Sequence, residues 1–367
     1  MPGAGAVIAR RGIILALSFV VIVIIISAII EGSGYSIDIY KALVRESVNA
    51  EIMALRRGNP NISEAFIQEY KQNLTIYYSQ MYGLIDENGN EIPPYRRMWN
   101  TVTRALTLNL GKTDKVDVAN VVPTQAPADV AGIIAAVLPR TIIVVTVAEI
   151  IMIVLALLIA PRIAYRHGTL VDKLVVAYAA LFNAIPLWWL GMVFIQIFGY
   201  QLKLFPTSLR GAATIINTFW TDPGGNIVRL IHYISLPIIV IVVAGLGSWL
   251  YGIRAMVLRV VKEDFVTVAR AKGLPEKDIS RKYILRVSLA PILTNVILAL
   301  AGSLGGMIIT ESVFDWPGMG TLYYAAISSG DTQMIIGLFV IFVGVYLIAR
   351  FILEILYIVV DPRVRAR

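Results

Sequence analysis

The chain has 367 residues, 57% of them hydrophobic and 15% charged, with a mean hydropathy of +0.74. That balance excludes an ordinary soluble domain. The net charge of +8 comes from basic residues gathered at the ends of apolar blocks, a pattern of membrane topology rather than of nucleic-acid contact. Cysteine is absent, which removes disulfides, thiolate metal sites and cysteine nucleophiles.

Arg10 and Arg11 precede an apolar run from Gly12 to Ile30. The run is longer than a secretory h-region and no small-x-small cleavage site follows, so it is expected to stay as a spanning helix. Residues 31–132 are polar and form the one large segment expected outside the membrane. Turn signals stand at Asn59-Pro60, Glu87-Asn88-Gly89-Asn90 and Pro93-Pro94, and Ser63 to Tyr82 has helical character. Asn61-Ile62-Ser63 and Asn73-Leu74-Thr75 fit the glycosylation sequon. Gly111-Lys112-Thr113 looks like the end of a phosphate loop, but the glycine needed five residues earlier is Leu106.

Five further spans follow: Ile133 to Ala160, Leu174 to Tyr200, Tyr233 to Leu258, Val287 to Thr310 and Met334 to Val360. A lipid-embedded backbone must satisfy its own polar groups, so each is expected to be helical. The fold class is therefore an all-α polytopic membrane protein, with six transmembrane helices and a large insertion between the first two. Its parts are residues 1–30, the extracytoplasmic 31–132, and a core over 133–367 with a loop at 262–286. Lys and Arg concentrate before span one, between spans two and three, between four and five, and at Arg363, Arg365 and Arg367, while Glu311 to Gln333 has none. Both termini are thus expected on the cytoplasmic side of the cell membrane.

Inside the spans, Glu149 is either a packing partner or a pathway residue, because an ionisable group at that depth is costly. Glu354 has Arg350 four residues before it as a local ion-pair partner. Pro186 and Pro237, with Gly245, Gly247, Gly302, Gly305 and Gly306, mark bends and tight helix contacts. Trp188 and Trp189 are interfacial anchors or pathway lining. Phe314, Asp315 and Trp316 line an external mouth or form a structural corner. His167 and His232 lie far apart, so a metal pair is not expected.

The stretch from Glu263 to Pro291 reads as helix, turn, helix. Phe265, Val268, Ala269 and Lys272 share a face by three- and four-residue spacing. Gly273 suits a left-handed C-cap. Pro275 suits the first position of the next helix, with Glu276 at its positive end. Ile279, Tyr283 and Val287 then stack at four-residue intervals. From the residues alone, this is a basic amphipathic hairpin on the membrane surface.

Ala269-Arg270-Ala271-Lys272-Gly273-Leu274, followed by Pro291, resembles the loop motif of binding-protein-dependent permeases of ABC importers. The dipeptide, oligopeptide and nickel branch is similar at four places: Asp264 to Leu274, Ile185-Pro186-Leu187-Trp188-Trp189-Leu190-Gly191, Glu311 to Gly320, and Asp361-Pro362-Arg363-Val364-Arg365. The family often has Arg-Asn where this chain has Arg286-Val287, and residues 31–132 are long for it.

The resemblance implies a non-enzymatic permease subunit that works by alternating access. It would pair with a second homologous permease, two ATP-binding subunits carrying ATP and Mg, and an external binding protein. It would bind no cofactor itself, sit in membrane lipid and contact no nucleic acid. Ala269, Ala271, Gly273 and Leu274 would dock on the ATPase, with Arg270 and Lys272 as polar contacts. Short peptides are the expected cargo, then oligosaccharides or nickel. An ion-coupled secondary transporter and a membrane-anchored enzyme are the readings from other classes.

Overall fold

A computed structural model describes residues 4–59, 62–113, 115, 118, 121–122, 127–165, 167–303 and 308–360. Helix α1 (Ala4–Gly32) is followed by α2 (Tyr35–Gly58) and α3 (Glu64–Met81), which pack on each other. Ser63 caps α3 by accepting the Phe66 N–H at 3.3 Å. Glu51 of α2 accepts the hydroxyls of Tyr70 and Tyr78 from α3. The turn expected at 87–90 is closed by the Asp86 carboxylate, which accepts the N–H groups of Asn88 and Asn90.

Helix α4 (Pro94–Leu106) begins with Pro94 in its first turn. It leans on α1: buried Arg97 reaches buried Glu31 at 3.3 Å, and Val102 and Ala105 pack with Val23. Helix α4 is therefore anchored along the first apolar helix. The Gly-Lys-Thr fragment contributes to β1 (Lys112–Thr113), which pairs antiparallel with β2 (Ala128–Asp129), and the Thr113 hydroxyl bonds Asp331. Its hydroxyl is thus engaged in tying the segment to the last helix.

The core runs through α5 (Val130–Tyr165), α6 (Leu170–Ala184), α7 (Leu187–Phe194) with a π-helical turn at Ile195–Gln201, α8 (Ala212–Asn217) and α9 (Pro223–Val261). Then come α10 (Asp264–Ala271), α11 (Glu276–Asp278), a π-helical segment Ile279–Leu285, α12 (Arg286–Ser303), α13 (Ile308–Phe314), α14 (Met319–Ser328) and α15 (Thr332–Val360). Helix α9 is central and packs on α5 and α6.

Among the described residues, α1, α5, α9 and α15 are unbroken helices long and apolar enough to cross a bilayer. The chain is thus an all-α polytopic membrane protein. The third expected span is not one rod. It breaks at Ile185-Pro186 with a bend of 93° between α6 and α7. Proline has no N–H to continue the helix and forces the preceding residue into extended backbone, and Ile185 has φ −92° and ψ 122°. A second bent pair, at 47°, joins Glu276–Leu289 to Pro291–Ala299, so the second arm of the basic hairpin continues into the fifth apolar stretch.

The exposed stripes of α1 (Ile13, Leu17, Val21, Ile25, Ile29) and α5 (Ile150, Val154, Leu158) are aliphatic at helical spacing, as a lipid-facing surface requires. Asp361 to Arg367, Pro60, Asn61, Arg166, Gly305 and Gly306 lie outside the described residues.

Candidate functional site

The basic hairpin is built by a specific turn. Gly273 sits at φ +71°. The Leu274 N–H reaches the Ala269 carbonyl and the Gly273 N–H reaches Arg270, the paired bonds of a Schellman motif. Only glycine takes that left-handed conformation without a Cβ penalty. Pro275 stands at the N-cap, one position earlier than expected, with Glu276 as the first helical residue. Arg270 closes the turn with an ion pair to Glu276 at 2.7 Å, which raises the Arg270 pKa above its usual range.

The face assignments change. Val266 and Ala269 turn inward and join Ile279, Ile284 and Ile292 in the apolar core beneath the hairpin. Phe265 and Val268 turn outward at 38% and 51% exposure, beside exposed Ala271, Lys272 and Gly273. Leu274 is half-buried. The stack expected at Ile279, Tyr283 and Val287 is also corrected. The π-helical segment adds a residue to the turn, so the buried series is Ile279, Ile284, Ser288 and Ile292, while Tyr283 and Val287 are exposed.

From the hairpin, α9 leads back to α6. In the first turn of α6, Asp172 is buried and forms a two-point pair with Arg254 of α9; it also accepts the Gly168 N–H at 2.9 Å. His167 Nδ1 lies 3.1 Å from Asp172 and 2.9 Å from an Arg254 nitrogen. Higher up, Gly247 lets α9 touch α6: a Cβ there would lie 2.7 Å from the Ala179 Cα. The Tyr178 hydroxyl bonds the Val243 carbonyl and Ser248 bonds Asn183. Glu149 faces inward and accepts the Trp249 indole N–H at 3.1 Å, a packing contact between α5 and α9. Pro186, Trp188 and Trp189 are exposed at the break.

The candidates that follow the fifth apolar stretch divide. Phe314 and Trp316 are buried. Phe314 packs on Gly191 of α7, where a Cβ would lie 3.0 Å from the ring. Asp315, at φ +54°, pairs with Arg210 at 3.1 Å and accepts from Ser208 at 2.7 Å. The corner is organised by Glu311, whose carboxylate accepts the Thr141 hydroxyl at 2.8 Å and the Gly320 N–H at 2.6 Å, at the start of α14. Burial pushes its pKa up to about 7. Arg140, fully buried, donates to the Pro317 carbonyl at 3.2 Å. At the far end of the core, Glu354 pairs with Arg11 and, at 3.7 Å, with Arg350.

Sequence reasoning missed Asp172 and Arg254. Their pairing spans 82 residues, but Arg254 inside an apolar span was itself a signal. His167 belongs to that cluster, while His232 stacks on Phe205. No metal-binding group of three or more ligands occurs among the described residues.

Comparison with known proteins matches residues 130–366 to the family described as "Binding-protein-dependent transport system inner membrane component". The oligopeptide transport system permease protein AppB of Bacillus subtilis is 30% identical over 235 residues, covering 64% of this chain and 72% of that protein. The di/tripeptide transport system permease protein DppB of Pseudomonas aeruginosa is 29% identical over 212 residues, and the dipeptide transport system permease protein DppB of Escherichia coli is 28% identical over 216. In both, the match covers 55% of this chain and 63% of the relative.

Proposed function

Because the chain belongs to the family of binding-protein-dependent transport system inner membrane components, we propose that it is one permease of a paired, ATP-driven importer of short peptides. The peptide cargo rests on the names of the relatives, two of which handle dipeptides or di/tripeptides and one oligopeptides. Each bent helix pair is taken as one span. The four unbroken helices and two bent pairs then make six, with both termini and the basic hairpin on the cytoplasmic side.

The observation that carries this reading is the outer face of the hairpin. Phe265 and Val268 are exposed apolar side chains beside small Ala271 and Gly273, on a turn held rigid by the Schellman bonds and the Arg270–Glu276 pair. Such a patch suits a groove on a partner subunit. Two ATP-binding subunits, with ATP and Mg, would grip this hairpin and the equivalent one of a second permease. Their closure would move the two permeases between inward- and outward-open states, and an external binding protein would supply cargo. This chain's part is mechanical: α10 packs on the π-helical segment, which runs on into α12, and its Val266 and Ala269 lie in the apolar cluster that also holds residues of α9.

Gly273→Asp tests the reading. A Cβ at Gly273 meets nothing within 4 Å, and Asp is among the residues that tolerate the left-handed region. The variant should insert and fold, yet lose peptide uptake and receptor-stimulated ATP hydrolysis. Unchanged uptake would contradict the coupling role.

A further inference from the structure

The outward surface of the molecule is not uniformly aliphatic. On the inner half of α9, the residues exposed at three- and four-residue spacing are Ser248, Tyr251, Ala255 and Arg259. No large aliphatic side chain interrupts that stripe, in contrast to the exposed stripes of α1 and α5. It is flanked by two exposed amides. Asn183 of α6 accepts from Ser248, and Asn295 of α12 lies with its Nδ2 3.9 Å from the Met256 sulfur of α9.

The three uncharged polar groups lie well inside their helices. Asn183 stands thirteen residues from Leu170, Ser248 thirteen from Val261 and Asn295 nine from Arg286, about 14–20 Å along a helix. In a hydrocarbon core about 30 Å thick this is close to the middle. The Ser248 hydroxyl is satisfied by Asn183, but an amide N–H pointing into lipid there is costly, so at Asn183 and Asn295 this face suits water or polar groups.

We infer that Asn183, Ser248 and Asn295 form the mid-membrane wall of the translocation pathway and hydrogen-bond the backbone amides of the passing cargo. The inference rests on the permease reading and adds the surface that touches substrate. The chemistry suits a peptide backbone. Asparagine and serine each donate and accept, so either peptide group can be satisfied in either direction. None of the three carries charge, so the wall does not select among cargo side chains by charge. Tyr251 and Arg259 continue the polar stripe toward the inner side. Asn183 stands two residues before the break at Ile185-Pro186 in the third span.

The chain has no cysteine, so single cysteines report without background. Asn183→Cys, Ser248→Cys and Asn295→Cys would be placed in the assembled transporter in proteoliposomes, with Ile150→Cys and Val154→Cys as lipid-facing controls. The probe is a charged methanethiosulfonate reagent applied from each side, with and without ATP and a dipeptide. The expected result is labelling at 183, 248 and 295 well above the controls, changing with nucleotide and slowed by the dipeptide. Asn295→Leu should also raise the KM for peptide several-fold. Labelling no faster than at 150 and 154 would overturn the inference. So would constant cross-linking of these cysteines to the second permease in every nucleotide state, which would make the face a fixed subunit interface. ATP-driven uptake by the unsubstituted complex is scored separately, so loss of the wall is distinguishable from loss of the permease reading.

Discussion

Replacing Asp172 by asparagine should leave a buried arginine without its counter-charge. Asp172 is 3% exposed and Arg254 is 9% exposed, and the carboxylate takes two bonds from the guanidinium and one from the Gly168 N–H. Removing one partner of a buried pair costs about 3–5 kcal/mol, whereas replacing both by apolar residues of similar volume is often near neutral. For Asp172→Leu with Arg254→Met, the remaining losses are the Gly168 N–H bond, about 0.5–1.5 kcal/mol, and the contact to the largely exposed His167. An unfolding entropy of about 2.1 cal/mol/K per residue converts the single-variant loss to roughly 4–7 °C for a chain of this length. The assay is the temperature of half-inactivation of the purified transporter after brief heating. Asp172→Asn and Arg254→Gln should each fall by several degrees, and the apolar double variant should recover most of that. A double variant as unstable as the two single losses combined would refute the assignment of the pair as a clamp between α6 and α9.

Two other predictions concern packing and pH. Gly247→Ala should destabilise the complex because the new Cβ meets the Ala179 backbone at 2.7 Å, while Gly252→Ala on the same helix meets nothing and should be neutral or gain about 0.5–1 kcal/mol; equal effects in a thermal-inactivation assay would contradict the close approach. Glu311 has its folded-state pKa raised to about 7, so the folded protein binds more protons than the unfolded chain above about pH 4.5. Its contribution to stability is complete below that pH and is lost as pH rises through about 7, and Glu311→Gln should flatten this part of the profile between pH 5 and 8. An unchanged slope in the variant would show that another group controls it.

The legible features were those written locally. Gly273 announced its left-handed turn because no other residue takes that conformation freely, and Arg350 four before Glu354 announced an ion pair by helical spacing alone. Long apolar runs fixed the helical, membrane-embedded class. Registers that depend on insertion or tertiary choice were not legible. Ile279, Tyr283 and Val287 satisfy an α-helical period, and nothing in them reveals the π-helical turn that buries Ile284 instead. Ala269 and Val268 are adjacent, and only packing into the apolar cluster beneath the hairpin decides which turns inward. Pro186 carried the signal for the break in the third span, but apolar residues on both sides made the two arms read as one rod. The aromatic residues Phe314 and Trp316 look alike as mouth lining or corner filling until their burial is known.

The most direct measurement is capture of the neighbour of the hairpin's outer face. With Ala271→Cys as the sole cysteine, a short thiol cross-linker supplied from the cytoplasmic side should join this chain to a subunit that hydrolyses ATP, in a yield that changes when hydrolysis is arrested. Reaction of that cysteine only from the external side, or capture of no nucleotide-hydrolysing chain, would contradict the transmission of force through α10.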